Sequence, residues 1–216
     1  MTNAENRIPP ASSDPPSGPC VPLTGVVLAG GQSSRLGHDK ALVRLIDGGS
    51  PDLLARTVAL LHCICPRVLV VGREHPGYEC RADLKPGNGP VGGVATALEI
   101  VHGPCLILSC DLPFMEERTL RRLSAARERR PPGTLVTSYR HDATGHIEPL
   151  VAIYEAGALP YYQNCVAKGL LKNNLVIPRE FHHYIYYGIA DALPFFNINY
   201  PADLEKAREM AHDRQA

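Results

Sequence analysis

A short apolar run, Gly25-Val26-Val27-Leu28, stops at Ala29-Gly30-Gly31, and the cations Arg35 and Lys40 follow closely. Too short for a helix and bounded by a turn signal, the run reads as a buried strand. Adjacent glycines beyond a strand let backbone N–H groups approach an anion where any Cβ would intervene. Gly30 and Gly31 can thus form a concave nest for phosphate oxygens, with Arg35 and Lys40 supplying the neutralising charge. An ordinary glycine turn after a strand is the plainer alternative.

Spacing narrows the device. A P-loop has four residues between its glycines and Lys-Ser/Thr directly after the second. Here five residues separate Gly31 from Gly37, and His38 follows. A dinucleotide fingerprint requires G-x-G-x-x-G, which Gly30-Gly31-Gln32-Ser33-Ser34-Arg35 lacks. With 216 residues and 44% apolar content, the chain has enough material for one α/β domain. Lys plus Arg equals Asp plus Glu at 22 each, so there is no global basic field and nucleic acid is not an expected partner. The seven cysteines show neither disulfide-framework nor zinc spacing, which points to reduced thiols in a cytoplasmic protein. No apolar run approaches the roughly 18 residues of a membrane span, and the N-terminus lacks the basic and apolar regions of a signal peptide.

Residues 1–22 carry six prolines among Ser, Asn and Asp, too little apolar surface to offset ordering, and are expected to be a flexible tail ahead of one domain over 23–216. From Thr24 onward strand-like and helix-like segments alternate, the pattern of a mostly parallel sheet covered by helices. Ser50-Pro51-Asp52 looks like a helix start with Ser as cap and Pro at the first helical position. Arg67 to Gly72 and Pro104 to Leu108 read as strands, with a Pro/Gly-rich loop from Lys85 to Gly93 opening a helix between them. A helix over Glu116 to Arg130 places acid at its start and Arg at its end, as the helix dipole favours. Strands over Thr134 to Tyr139 and Ile147 to Tyr154 follow, then a helix over about 158–167, an unassigned stretch to His183, a strand-like Phe195 to Asn199, and a final helix from Pro201 to about Met210.

Residue by residue, Leu28 to Lys40 resembles the L-A-G-G-x-S-x-R-[M/L]-G-x-D-K signature of the molybdenum cofactor guanylyltransferases, the molybdopterin-guanine dinucleotide biosynthesis protein A family. Leu36 stands where Met is more frequent. The resemblance implies a three-layer α/β/α, Rossmann-like nucleotidyltransferase fold with a mostly parallel mixed sheet and the nucleotide above its carboxyl edge. It implies transfer of GMP from GTP to the phosphate of molybdopterin, with Mg²⁺ as cofactor and pyrophosphate released. Other cofactor-biosynthesis proteins or acceptor molybdoenzymes are the implied protein partners.

On that resemblance Leu28, Ala29, Gly30, Gly31, Ser33, Arg35, Lys40, Asp83 and Asp111 bind the nucleotide, and Lys40, Arg35 and Asp111 carry the catalysis. Asp111 follows a hydrophobic strand in Cys110-Asp111-Leu112-Pro113, which is similar to the family's C-D-x-P metal motif. Its plainer role is to cap the helix after Pro113. Phe196-Asn197-Ile198-Asn199-Tyr200-Pro201 resembles N-x-N-T-P, where an Asn oxygen completes the Mg²⁺ shell. Asn199 is the first choice and Asn197 the second, against the alternative that Asn caps the helix. Tyr200 replaces the usual Thr. Asp83, with Asn88-Gly89-Pro90-Val91-Gly92-Gly93, resembles the element closing over the nucleotide, where a carboxylate can accept from guanine N1–H and N2–H₂. A solvated loop acid is the alternative. Gly72-Arg73 departs from the Asn often found after the second strand. Glu148 and Pro149 resemble the E-P-L segment on the acceptor side, Glu148 being equally readable as a structural acceptor. Cytidylyl or sugar-phosphate nucleotidyltransfer, and a non-catalytic nucleotide-binding adaptor, are the competing functions.

Overall fold

The computed structural model describes residues 21–30, 39–46 and 50–214. Apart from Val21 and Pro22, the tail expected over residues 1–22 lies outside the described residues, as do Gly31, Ser33 and Arg35.

Seven strands form one mixed sheet: β1 (Thr24–Leu28), β2 (Arg67–Val71), β3 (Cys80–Arg81), β4 (Cys105–Ser109), β5 (Val136–His141), β6 (Ile147–Tyr154) and β7 (His182–Tyr187). Their spatial order is β3-β2-β1-β4-β6-β5-β7. All pairings are parallel except the two made by β6, with β4 and with β5. Among the described residues five α-helices cover it: α1 (Leu53–His62), α2 (Gly89–Val101), α3 (Glu117–Glu128), α4 (Leu159–Ala167) and α5 (Pro201–Asp213).

Side-chain alternation along the strands splits the core in two. Val27 and Leu106 face α1 and α3, meeting Leu54, Val58, Leu120 and Leu123. Val26 and Ile107 face α2 and α4, meeting Val94, Leu98 and Tyr162. The fully apolar reading of β1, β2 and β4 follows from burial on both faces. Leu204, Ala207 and Ala211 of α5 join Leu53, Phe114 and Ile198 in a third, smaller cluster.

This is the expected three-layer α/β/α arrangement. It also fixes where a ligand can enter. The chain leaves β1 through α1 to β2 on one side, then crosses through α2 to β4 on the other side of β1. The loops beyond β1 and β4 therefore diverge at their carboxyl ends, the topological switch point at which open α/β sheets bind ligands.

Local details depart from the sequence reading. α1 is capped by Asp52, whose carboxylate accepts from Ala55 N at 2.8 Å, while the Ser50 hydroxyl donates back to Ile46 O. The cap therefore lies two residues later than Ser50, because Asp52 is the residue with its side chain aimed at the open turn. α2 begins at Gly89, inside the segment read as loop. The strand expected over Thr134 to Tyr139 is shifted to Val136–His141, and α5 continues to Asp213. Phe195 to Asn199 is not a strand. A 3-10 turn over Leu193–Phe195 leads into it, and its backbone reaches across the molecule where Ile198 N donates to Asp111 O at 3.0 Å.

Candidate nucleotide site

A cleft of about 680 Å³ opens at the switch point, within the range of small-molecule and cofactor sites. Leu28, Ala29 and Gly30 form one wall at the end of β1, and Asp111 stands opposite, just beyond β4. Gly30 sits where it does for a reason besides anion access. A Cβ on Gly72, whose φ is +96°, would lie 2.5 Å from Gly30 Cα and 2.7 Å from Gly30 N. The ends of β1 and β2 approach so closely that Gly72 has no room for a side chain, and a Cβ on Gly30 would lie 3.0 Å from Gly72 Cα.

Lys40 opens a single 3-10 turn, Lys40–Leu42, capped by Asp39, whose carboxylate accepts from Ala41 N at 3.1 Å. From there the Lys40 ammonium reaches across the cleft, donating to Asn199 Oδ1 at 2.9 Å and lying 3.6 Å from Asp111 Oδ2. Three residues spread over most of the chain thus converge. Asn199 is held from behind, because the Asp203 carboxylate accepts from Asn199 N at 2.9 Å and from Tyr200 N at 2.8 Å. Those two N–H groups keep the Asp203 carboxyl below its ordinary range. Asp203 thereby ties down the start of α5, where Tyr200 stands in place of the usual Thr, and the N-cap position falls on Tyr200 rather than on Asn199. Asn197 is exposed and does not line the cleft.

Asp111 does not cap a helix, since α3 begins at Glu117 with Glu116 as its cap residue. Its Oδ1 is buried without a hydrogen-bond partner among the described residues. A buried carboxylate oxygen with nothing to bind costs free energy unless a ligand completes it. Asp111 Oδ1 and Asn199 Oδ1 are hard oxygen donors of the sort Mg²⁺ prefers, and that ion is commonly held by one or two carboxylates with substrate phosphates and water filling the rest. The residues present therefore fit Mg²⁺. Among the described residues no group of three or more His, Cys, Asp or Glu is placed to hold a metal without such help.

Asp83 also lines the cleft, but neither as a solvated acid nor with its carboxylate wholly free. Its Oδ1 accepts from the Thr96 hydroxyl at 2.7 Å and from Lys85 N at 2.9 Å, fastening the loop before α2 to that helix. Glu148 lies outside the cleft lining and accepts from the Tyr187 hydroxyl, with His146 Nε2 3.7 Å away. The Pro149 carbonyl accepts from the Tyr154 hydroxyl, and it is the next residue, Leu150, that reaches the cleft. Cys110, beside Asp111, is pushed up to about 12 by burial and stays a neutral core thiol.

One feature escaped the sequence. Arg73, just past the Gly72 turn, grips Asp39 with both terminal nitrogens, Nη1 at 2.9 Å from Oδ1 and Nη2 on Oδ2. The guanidinium holds the Asp39 carboxyl below its ordinary range, outweighing the opposite effect of burial. The two residues are 34 apart in sequence and nothing local announces the pair.

A cleft at the switch point of a three-layer sheet, with a lysine bridging a carboxylate and an amide oxygen, defines the chain as an α/β nucleotidyltransferase. The model of the MobA-like NTP transferase domain matches residues 25–176, and the chain belongs to that family. A probable molybdenum cofactor guanylyltransferase of Pelotomaculum thermopropionicum is 31% identical over 201 residues, covering 88% of this chain and 94% of its own. One of Deinococcus radiodurans is 34% identical over 190 residues, covering 85% and 93%. In fold the chain is similar to molybdopterin-guanine dinucleotide biosynthesis protein A from Archaeoglobus fulgidus, with TM-score 0.72, 24% identity and coverage of 88% and 100%. It also shares the fold with 2-C-methyl-D-erythritol 4-phosphate cytidylyltransferase from Thermus thermophilus, at TM-score 0.60, 18% identity and coverage of 87% and 98%. Architecture alone does not select the base.

Proposed function

We propose that this chain transfers GMP from GTP to the terminal phosphate of molybdopterin, releasing pyrophosphate, in the cytoplasm. The observation that carries the reading is the convergence of Lys40, Asp111 and Asn199 on one cleft beside Gly30, taken with the names of the curated relatives. A phosphate oxygen of the acceptor forms a bond to the α-phosphorus of GTP, and the bond from that phosphorus to the bridging oxygen of the β-phosphate breaks. The electron pair leaves with pyrophosphate.

No strong general base is required. The acceptor is a phosphate monoester whose second pKa is about 6, so it is largely dianionic at neutral pH. The difficulty is repulsion between anions. Lys40, joined by Arg35, neutralises the triphosphate, while backbone N–H groups at Gly30 and Gly31 receive phosphate oxygens. Asp111 and Asn199 would hold Mg²⁺, which when bound supplies charge compensation across the reacting phosphates. Asp83 keeps the loop before α2 over the nucleotide, and Glu148 and Pro149 border the acceptor side. Fixing both substrates in line then supplies much of the rate enhancement.

A pyrophosphate-release assay crossing GTP, CTP, ATP and UTP with molybdopterin and with simple sugar phosphates tests the reading. Release with GTP and molybdopterin is expected. Release confined to CTP, or to a sugar phosphate, moves the chain to another branch of the fold, and binding without release under every pairing makes it an adaptor.

A further inference from the structure

We propose that Arg73 is a positioning residue for Lys40, acting through its two-point grip on Asp39. The functional weight of that grip rests on the nucleotide site proposed above.

Lys40 leaves the backbone in a turn of only three residues, Lys40–Leu42, and so short a 3-10 turn has little stability of its own. What fixes it is Asp39, which performs two tasks with one carboxylate. Oδ1 accepts from Ala41 N inside the turn and from Arg73 Nη1, and Oδ2 accepts from Arg73 Nη2. A guanidinium fork on a carboxylate restrains orientation as well as distance, which a point charge does not. Arg73 is itself anchored at the end of β2. Gly72 N donates to Arg81 O at 2.9 Å, and Gly72 is wedged against Gly30. The Arg73 side chain is only 21% exposed.

The turn carrying Lys40 is therefore tied to the end of β2, which is itself packed against Gly30 just beyond β1. Lys40 meets Asn199 and Asp111 from that platform. This gives the Gly72-Arg73 departure from the usual Asn a purpose. The glycine permits the turn, and the arginine returns toward Asp39.

Competitive labelling of amines on the full chain, without nucleotide and with a limiting acylating reagent, reads the effect at Lys40 by mass spectrometry, with exposed Lys172 as internal standard. Arg73→Ala is expected to raise Lys40 labelling about threefold, the scale of losing a partly exposed ion pair. Arg73→Lys gives a smaller rise. Asp39→Asn retains an oxygen for Ala41 N but loses the charge pair, and raises labelling as well; it carries the test if Arg73→Ala does not fold.

Calorimetry with inorganic tripolyphosphate provides the second reading. Arg73→Ala weakens binding in the wild-type background and has no further effect in Lys40→Ala, a non-additivity that general loosening of the fold would not produce. Unchanged Lys40 labelling in both Arg73→Ala and Asp39→Asn, or fully additive losses with Lys40→Ala, overturns the inference. Failure of the wild-type chain to bind tripolyphosphate counts against the polyphosphate reading of the site, while Lys40 labelling still decides the role of Arg73.

Discussion

Replacing Gly72 by Ala tests whether the meeting of β1 and β2 at the cleft is as tight as the structure shows. Two effects add. An alanine at φ +96° occupies a backbone region that costs L-residues about 1–3 kcal/mol. Its Cβ would stand 2.5 Å from Gly30 Cα and 2.7 Å from Gly30 N. Both are backbone atoms of a strand end that cannot swing aside, and overpacking of this kind costs about 1–3 kcal/mol more. The expected loss is about 2–6 kcal/mol, a large part of the roughly 5–15 kcal/mol typical of a folded domain. Gly77→Ala is the control, because Gly77 has φ +87° with nothing within 4 Å of the added Cβ. It should show the backbone term alone, about 1–3 kcal/mol. Urea denaturation at equal slope gives both values. The excess at Gly72 should be accompanied by weaker tripolyphosphate binding, since the displaced strand end carries Gly30. If Gly72→Ala destabilises no more than Gly77→Ala, the close approach is not present in solution and the account of the cleft wall fails.

Asp111→Ala should lower pyrophosphate release by at least about 10²-fold, the scale of removing one preorganised electrostatic group. Urea stability should change by less than about 1 kcal/mol, because losing the 3.6 Å contact of Asp111 Oδ2 with Lys40, a partly exposed pair, is offset by removing the buried Oδ1, which has no hydrogen-bond partner among the described residues; retained turnover would remove Asp111 from the mechanism. Glu155→Ala should destabilise by about 3–5 kcal/mol, since the Glu155 carboxylate meets the Arg127 guanidinium at 2.7 Å where the Arg127 side chain is only 7% exposed. Glu79→Ala, at an exposed pair with Arg67, should cost under about 1 kcal/mol by the same urea assay. Burial lowers the His182 pKa from 6.5, so below that value the unfolded chain takes up the proton first. Its contribution to stability is complete above about 6.5 and declines as pH falls toward the folded-state value. Urea midpoints measured from about pH 7.5 to about pH 5.5 should fall in the wild type and fall less in His182→Gln; parallel slopes would refute this.

The elements that sequence pattern revealed are those whose burial is nearly complete or whose face is cleanly divided. β1, β2 and β4 are apolar runs because helices cover both sides, and α3 shows acid before base with Leu120 and Leu123 turned inward. β7 left no such signal. It lies at the edge of the sheet with His182, Tyr184 and Tyr186 incompletely buried, so its pattern alternates among polar aromatics instead of between oil and charge. β3 is two residues long, too short for any period. Phe195 to Asn199 looked like a strand because Phe196 and Ile198 alternate with Asn, yet it pairs with none of the seven strands. Ile198 is instead sealed under α5 in the small cluster with Leu204 and Ala207.

At the cleft, the glycine turn and the acid beyond β4 were legible because each sits at the end of an apolar run. The meeting of Lys40 with Asn199, 159 residues away, was not legible from local pattern and came only through the family resemblance. The Arg73 grip on Asp39 depends on where two loops cross in space, which neither periodicity nor motif encodes.

A crystal structure of the chain with Mg²⁺ and a non-hydrolysable GTP analogue tests the central claim most directly. The account predicts the triphosphate along Gly30 with its oxygens contacting Lys40 Nζ, and a cation on Asp111 Oδ1. A nucleotide bound elsewhere, or one in the cleft with Lys40 still on Asn199 and Asp111 and no cation at Asp111, would contradict it.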